Sequence, residues 1–245
     1  MNTAMILAAG LGTRLKELTH DKPKALVEIN GKTLLQRTIE TLIANGFERI
    51  IINVHHFGNQ IIEFVNTHTF NAEIMISDEQ QQLMDTGGGI IQATPLFTDT
   101  DAVLIHNVDI ISDVNLKNHY QDFIHSGDDA WLLTQDRETA RKLLFNTENQ
   151  LVGWKNKSSE QYKWVHGATE NYKEKAFSGM HIFKPTLFAD FEKKPVSVID
   201  LYLNLAQRKQ IISKEIQTNL WFDLGKIEQI KSVGEKLKEN EKRKN

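Results

Sequence analysis

With 245 residues, 40% of them hydrophobic, the chain can bury a full core, which argues against a disordered protein. Its formal net charge of −3 gives no whole-molecule attraction to nucleic acid or to an anionic membrane, so any polyanion must be met by local basic groups and the ligand is expected to be small. The absence of cysteine excludes disulfides, thiolate chemistry and cysteine-held zinc or iron–sulfur clusters.

In chain order, MNTAMILAAG opens without a basic n-region and with too short an apolar stretch for a signal peptide. Nowhere do about 18 apolar residues follow one another, so a cytoplasmic protein with no membrane or nucleic-acid partner is expected. Apolar runs at 4–9, 49–55, 72–77 and 102–108 predict strands, and the segments 32–46, 58–68 and 88–97 between them predict helices. In the first helix Leu34, Leu35, Ile39, Leu42 and Ile43 fall on one face, and Gly46 supplies the stop. Such alternation predicts an α/β protein with a mainly parallel sheet, helices on both faces, and ligands at the carboxyl ends of the strands.

Beyond residue 125 the pattern loosens. Strands are expected at 130–134, 151–155 and 176–183, around a polar stretch at 156–174 that reads as an excursion or lid. A helix at 198–209 and a strand at 219–225 follow, before a charged tail, 231–245. With no internal repeat, low-complexity linker or second composition zone, residues 1–230 read as one domain, and the oligomeric state is not set by the sequence.

The stretch LAAGLGTRLKELTHDKPK (7–24) follows the first strand with a glycine-rich turn, a common way to present backbone N–H groups to phosphate. Neither familiar phosphate loop fits. The dinucleotide fingerprint needs glycine where Leu15 stands, and the P-loop needs Gly-Lys-Ser/Thr where Leu15 and Lys16 stand. What remains is Gly10, Gly12, Thr13 and Arg14, with Lys24 ten residues later behind Pro23. An arginine fork and a compact lysine charge can together embrace two phosphates, although a solvated basic loop would use the same residues.

LAAGLGTRL followed by KPKALVEINGKTLL resembles the N-terminal signature of the sugar-1-phosphate nucleotidyltransferases. The resemblance implies the nucleotide-diphospho-sugar transferase fold, a Rossmann-like three-layer sandwich with a mixed, mainly parallel central sheet. It also implies that Leu7, Ala8, Ala9, Gly10, Gly12 and Thr13 wrap a nucleoside triphosphate, that Arg14 holds its β- and γ-phosphates, and that Lys24 neutralises charge near the reacting phosphates. Leu18 replaces a common proline, which is expected to change loop rigidity rather than chemistry.

MDTGGGI (84–90) holds more glycine than a turn needs, so something is expected to approach its main chain closely; a loose helix start capped by Asp85 or Thr86 is the plainer account. The family resemblance implies that Gly87 and Gly88 lie against the nucleobase and that Glu79 or Gln80 reads its edge. Spacing in DEQQQ does not separate those two.

Asp109 closes the apolar run AVLIHNVD and Asp223 closes LWFD. Two aspartates delivered to one sheet edge can hold a hard cation, with triphosphate oxygens filling its shell, and Mg²⁺ is the natural occupant. Capping of a following turn remains open for either, and Asp113 competes with Asp109. The resemblance implies that both are the metal-binding aspartates, even though HNVD departs from a frequent GD ending. His106 reads as a core or supporting residue, and Asn107 as a candidate sugar contact beside it. In AFSGMHIF (176–183) the resemblance gives Ser178 and Gly179 as sugar contacts, with a bulged edge strand as the alternative. Trp154 reads as a core aromatic, and the adjacent His55 and His56 as structural, because neighbours on a strand point to opposite faces.

The partners so implied are a nucleoside triphosphate and a sugar 1-phosphate. Within the family the short chain, the triple glycine and FDLG are most similar to N-acetylmuramate 1-phosphate uridylyltransferases. Guanylyltransferases for heptose or mannose 1-phosphate, choline-phosphate cytidylyltransferases, and a non-catalytic nucleotide-sugar sensor on the same fold are the alternatives.

Overall fold

The computed structural model describes residues 1–225, 229–230 and 232–237. Strand β1 (Thr3–Leu7) leads through a loop and two 3-10 segments (Thr13–Thr19 and Lys24–Leu26) to the hairpin of β2 (Glu28–Ile29) and β3 (Lys32–Thr33), and then to helix α1 (Leu34–Ala44). Next come β4 (Arg49–Val54), α2 (Gly58–Thr67), β5 (Glu73–Asp78), α3 (Asp85–Ala93), β6 (Val103–Asn107), β7 (Ile110–Ser112) and α4 (Leu116–Ser126). The remainder comprises β8 (Ala130–Gln135), β9 (Arg141–Phe145), β10 (Leu151–Asn156), β11 (Gln161–Trp164), β12 (Lys173–Phe183), α5 (Val198–Leu205), β13 (Ile211–Glu215) and β14 (Trp221–Asp223).

Ten strands form one mixed sheet in the order β11-β10-β9-β12-β6-β1-β4-β5, with β8 added on β12 and β13 on β8. Neighbours from β6 to β5 are parallel, while β12 runs antiparallel to β6, β8 and β9. Alternation along the central strands divides the core in two. Ala4 and Ile6 of β1 with Ile50 and Ile52 of β4 face Leu35, Ile39 and Leu42 of α1, Ile61 of α2 and Tyr120 of α4. Met5 and Ile51 face the other way, onto Ile90 and Ile91 of α3 and Leu201 and Tyr202 of α5. This is the expected sandwich, with every strand of its middle buried on both faces.

Local chemistry explains the boundaries. Thr33 caps α1 by accepting the Gln36 N–H at 3.0 Å, and Gly46 ends it with φ +82°. The helix expected at 88–97 begins earlier, at Asp85, whose φ is +58°, and gives way to a 3-10 turn at Thr94–Leu96. The one expected at 198–209 stops at Leu205. Seven elements were not read from the sequence: β2, β3, β7, α4, β9, β11 and β13; β3 takes the first two residues of the helix expected at 32–46. Of these, β11 lies inside the polar 156–174 stretch and pairs with β10, so part of that excursion is a sheet hairpin.

Trp154 is only half-buried on β10, with the Lys163 ammonium 5.5 Å above its ring. His55 and His56 follow β4 rather than lying within it, so strand alternation does not govern them. His55 Nδ1 bonds the Glu79 carbonyl at 2.7 Å and His56 packs on Phe57. Residues 232–237 are helical and bury Val233 and Leu237 in the core; Lys231 and residues 238–245 of the expected tail lie outside the described residues.

Candidate active site

The carboxyl ends of β1, β4 and β6 open into a cleft of about 470 Å³. Its floor is set by one buried amide. Asn53, at the end of β4 and 2% exposed, accepts the N–H groups of Ala8 at 2.7 Å and Ala9 at 3.3 Å, and donates to Glu79 Oε1 at 2.7 Å. Glu79 Oε2 accepts the Met84 N–H at 3.4 Å. Asn53 thereby ties the loop after β1 to the loop after β5. Burial pushes the Glu79 carboxyl above its usual pKa, against the opposing bonds from Asn53 and Met84.

In the first loop the two glycines differ. Gly12 has φ +64°, and a Cβ there would come within 3.0 Å of Thr19 and 3.1 Å of Lys24, so its role is to fold the loop back on itself. Gly10 has no atom within 4 Å of where its Cβ would stand, leaving its main chain open to the cleft. Leu7, Ala9, Gly10, Gly12, Thr13, Arg14, Lys24, Glu79, Asn107 and Asp109 all line this space. Ala8 lies beneath it on Asn53.

The charged groups come in opposed sets. Lys24, nearly buried after Pro23, donates its ammonium to Asp109 Oδ2. Asp109 sits in the turn between β6 and β7, and its carbonyl accepts the Leu224 N–H at 2.9 Å, which brings β14 alongside. Asp223 ends β14, and its Oδ1 accepts the Gly225 N–H at 3.0 Å. A Cβ on Gly225 would stand 3.0 Å from both Arg14 Nη2 and Asp223 Oδ1. Lys24 is thus paired with one expected metal-binding aspartate, while Arg14 and the other, Asp223, both pack around Gly225 without forming an ion pair among the described residues. Among the described residues no group of three His, Cys, Asp or Glu side chains is gathered to hold a metal. Two aspartates without a third protein ligand suit a hard cation that keeps water and takes phosphate oxygens.

Other expected contacts are placed elsewhere. Gln80 turns away from the cleft onto Asp78 and Gly58, which leaves Glu79 as the member of that pair facing it. Gly87 and Gly88 both donate to the Val196 carbonyl, at 2.9 and 3.0 Å, and a Cβ on Gly88 would stand 2.5 Å from the Lys194 carbonyl oxygen. What approaches these glycines is the chain's own backbone before α5, and from α3 it is Asp85 and Thr86 that reach the cleft. Ser178 is fully buried at a bulge of β12, where its Oγ accepts the Met180 N–H at 3.3 Å. Gly179 takes φ +82°, and a Cβ on it would stand 2.8 Å from Ile110 and 3.1 Å from the Asn107 amide. Gly179 thus packs against the cleft residue Asn107 while Ser178 turns into the core, and β12 there is central rather than an edge. His106 is buried on the Asn107 carbonyl, and that burial lowers its pKa to about 4, so it stays neutral.

Sequence reasoning missed Asn53, Asp85, Thr86 and Gly225. Only Asn53 carried a readable signal, a lone amide closing the apolar run RIIINV.

The family model of the nucleotidyl transferases matches residues 3–240. An N-acetylmuramate alpha-1-phosphate uridylyltransferase of Caulobacter vibrioides is 31% identical over 231 residues, covering 91% of each chain. One of Neisseria meningitidis is 28% identical, covering 94% of this chain and 96% of that protein. The mannose-1-phosphate guanylyltransferase catalytic subunit beta of Xenopus tropicalis is 25% identical, over 91% of this chain but 61% of its own. Among solved structures, HddC from Yersinia pseudotuberculosis complexed with GMP-PN superposes with a TM-score of 0.76 at 21% identity, over 97% of this chain and 100% of that one.

Proposed function

Because the chain belongs to the nucleotidyl transferase family, and is a nucleotidyltransferase, we propose that it moves a nucleoside monophosphate from a nucleoside triphosphate to a sugar 1-phosphate. The observation that carries this reading is the gathering of Arg14, Lys24 and Asp109 around the open main chain of Gly10, with Asp223 two residues from Gly225 at the cleft's edge. An oxygen of the acceptor phosphate attacks the α-phosphorus, the bond from that phosphorus to the β-phosphate bridging oxygen breaks, and pyrophosphate leaves. A phosphomonoester with its second pKa at about 6 is mostly dianionic at neutral pH, so no general base is required.

The protein's task is then to position anions and neutralise them. The Arg14 fork takes the outer phosphates, the Lys24 ammonium takes charge near the reacting one, and the loop from Leu7 to Thr13 follows the chain of phosphates. Asp109 and Asp223 would hold Mg²⁺, which supplies Lewis-acid neutralisation of the triphosphate. Glu79, with Asp85 and Thr86, would face the base, and Asn107 the sugar side.

UTP with N-acetylmuramate 1-phosphate is the first pair we propose, because relatives bearing that name match this chain across nearly all of their own length. A guanylyl donor with mannose 1-phosphate is the second reading, favoured by the longer guanylyltransferase relatives. No helix among the described residues is long and apolar enough to cross a membrane, and a cytoplasmic site of action fits these soluble substrates. The test is pyrophosphate release with Mg²⁺ across UTP, GTP, CTP and dTTP against N-acetylmuramate, mannose, heptose and glucose 1-phosphates and phosphocholine. One strong combination is expected; silence everywhere with tight binding of a nucleotide sugar would make the protein a sensor.

A further inference from the structure

Arg137 does not line the cleft described above, yet it is a half-buried guanidinium without a counter-ion among the described residues. It follows β8, and its Nη2 donates to the Phe177 carbonyl at 3.2 Å, while its guanidinium carbon lies 4.3 Å from the centroid of the Trp221 ring. That ring is itself fixed, because Trp221 Nε1 donates to the Ser178 carbonyl at 3.1 Å. Among the described residues no carboxylate lies within ion-pair distance of Arg137, and its Nε is buried with no hydrogen-bond partner. Gln135 Nε2, two residues earlier, is likewise a buried donor without an acceptor. Buried donors left open call for a partner.

The position of Arg137 indicates which partner. Trp221 and Asp223 project from the same side of β14, about 7 Å apart along the strand. The field of Asp223 is felt at Arg137, where it opposes the lowering of the guanidinium pKa by burial. Arg14 and Lys24 come from the glycine-loop segment before β2, whereas Arg137 comes from the end of β8 and is held by β12 and β14 through Phe177 and Trp221. Phosphoryl transfer needs the attacking and leaving oxygens on opposite sides of phosphorus, and so a cation for the acceptor distinct from those that serve the donor. A stacked arginine with free donors is suited to a phosphate dianion.

We propose that Arg137, held flat on Trp221, is the positioning residue for the acceptor: it binds the phosphate of the sugar 1-phosphate and aims its oxygen at the α-phosphorus. This rests on the functional reading above. Arg14 and Lys24 then serve the donor and its leaving pyrophosphate, and Arg137 serves the nucleophile.

The experiment compares wild type, Arg137→Met and Arg137→Lys, using whichever donor and acceptor pair proves active, with KM measured separately for each substrate and thermal midpoints alongside. The proposal expects Arg137→Met to raise the acceptor KM by about 10- to 100-fold, to leave the triphosphate KM within about twofold, and to be partly restored by lysine. If the two KM values rise together, or only the thermal midpoint falls, Arg137 is a structural clamp between β8 and β14 and the proposal is overturned. An inactive wild type would overturn the functional reading, and this one with it. An active wild type with an unchanged acceptor KM in Arg137→Met overturns this one alone.

Discussion

Two glycine-rich stretches in this chain look alike on paper, Gly10 to Gly12 after β1 and Gly87 to Gly89 in α3, and the fold uses them for opposite purposes. At Gly10 the space a side chain would fill is empty and opens on the cleft. At Gly88 it is filled by the Lys194 carbonyl, and at Gly89 by Glu79 Oε1 at 2.6 Å and Asn53 Nδ2 at 2.8 Å. Glycine reports that something comes close to the main chain. It does not report whether that something is a ligand or the protein itself, and the two cases are told apart only by the position of the rest of the chain.

Substitutions should separate the two regions, and the largest effect is expected on the ligand side. Asp109→Asn removes a carboxylate from the cleft and leaves Lys24 without its partner; steady-state assays should show kcat lower by roughly 10³-fold with the fold retained by circular dichroism. On the structural side, Gly88→Ala places a methyl 2.5 Å from a backbone oxygen. Overpacking of that kind should cost about 3 kcal/mol and lower the thermal midpoint by roughly 6–12 °C, with the remaining folded enzyme nearly as active per molecule.

Gly10→Ala should invert that pattern. Its backbone does not need a positive φ and its Cβ meets nothing, so stability should stay within about 0.5 kcal/mol of wild type while the triphosphate KM rises by roughly tenfold. Equal losses of stability and binding in Gly10→Ala and Gly88→Ala would break the comparison.

The smallest effect lies in the core beneath α5. His181 is fully buried, neither ring nitrogen has a hydrogen-bond partner among the described residues, and burial lowers its pKa to about 3, against an ordinary value near 6.5. Between those values the unfolded chain binds the extra proton and the folded chain does not, so stability should fall as pH drops from about 6.5 toward 3. In His181→Phe, urea midpoints measured from pH 7 to 4 should fall less steeply than in wild type; His106, at about 4, retains part of the slope.

Much of this molecule was legible in its sequence, and the gaps have physical reasons. The parallel half of the sheet was readable because β1, β4 and β6 are short apolar runs separated by amphipathic helices. The helix α4 went unread although Leu116, Tyr120 and Phe123 share a face between the Asn115 cap and the Gly127 stop, because its other residues are polar enough to resemble a loop. The short strand RKLLF pairs with the next strand β10 but also with the more distant β12, and IISKE with β8 far earlier in the chain, so local pattern says little.

Among the residues that line the cleft, Gly12, Arg14, Lys24 and Asp109 were readable as candidates from local chemistry. Those fixed by packing between segments were not. Asn53 acts through β1 and β5, Gly225 through Arg14, and Ser178 is turned inward by a bulge that only the pairing of β12 with β8 defines.

The central claim is that this cleft joins a nucleotide to a sugar phosphate by direct attack. It is tested most directly by mass spectrometry of the products of wild type and Asp109→Asn, with Mg²⁺, UTP and N-acetylmuramate 1-phosphate, alongside a pyrophosphate assay. The account predicts one nucleotide sugar formed for each pyrophosphate released by wild type, and almost none from the variant. Release of nucleoside diphosphate or free phosphate instead, or equal product from Asp109→Asn, would contradict it.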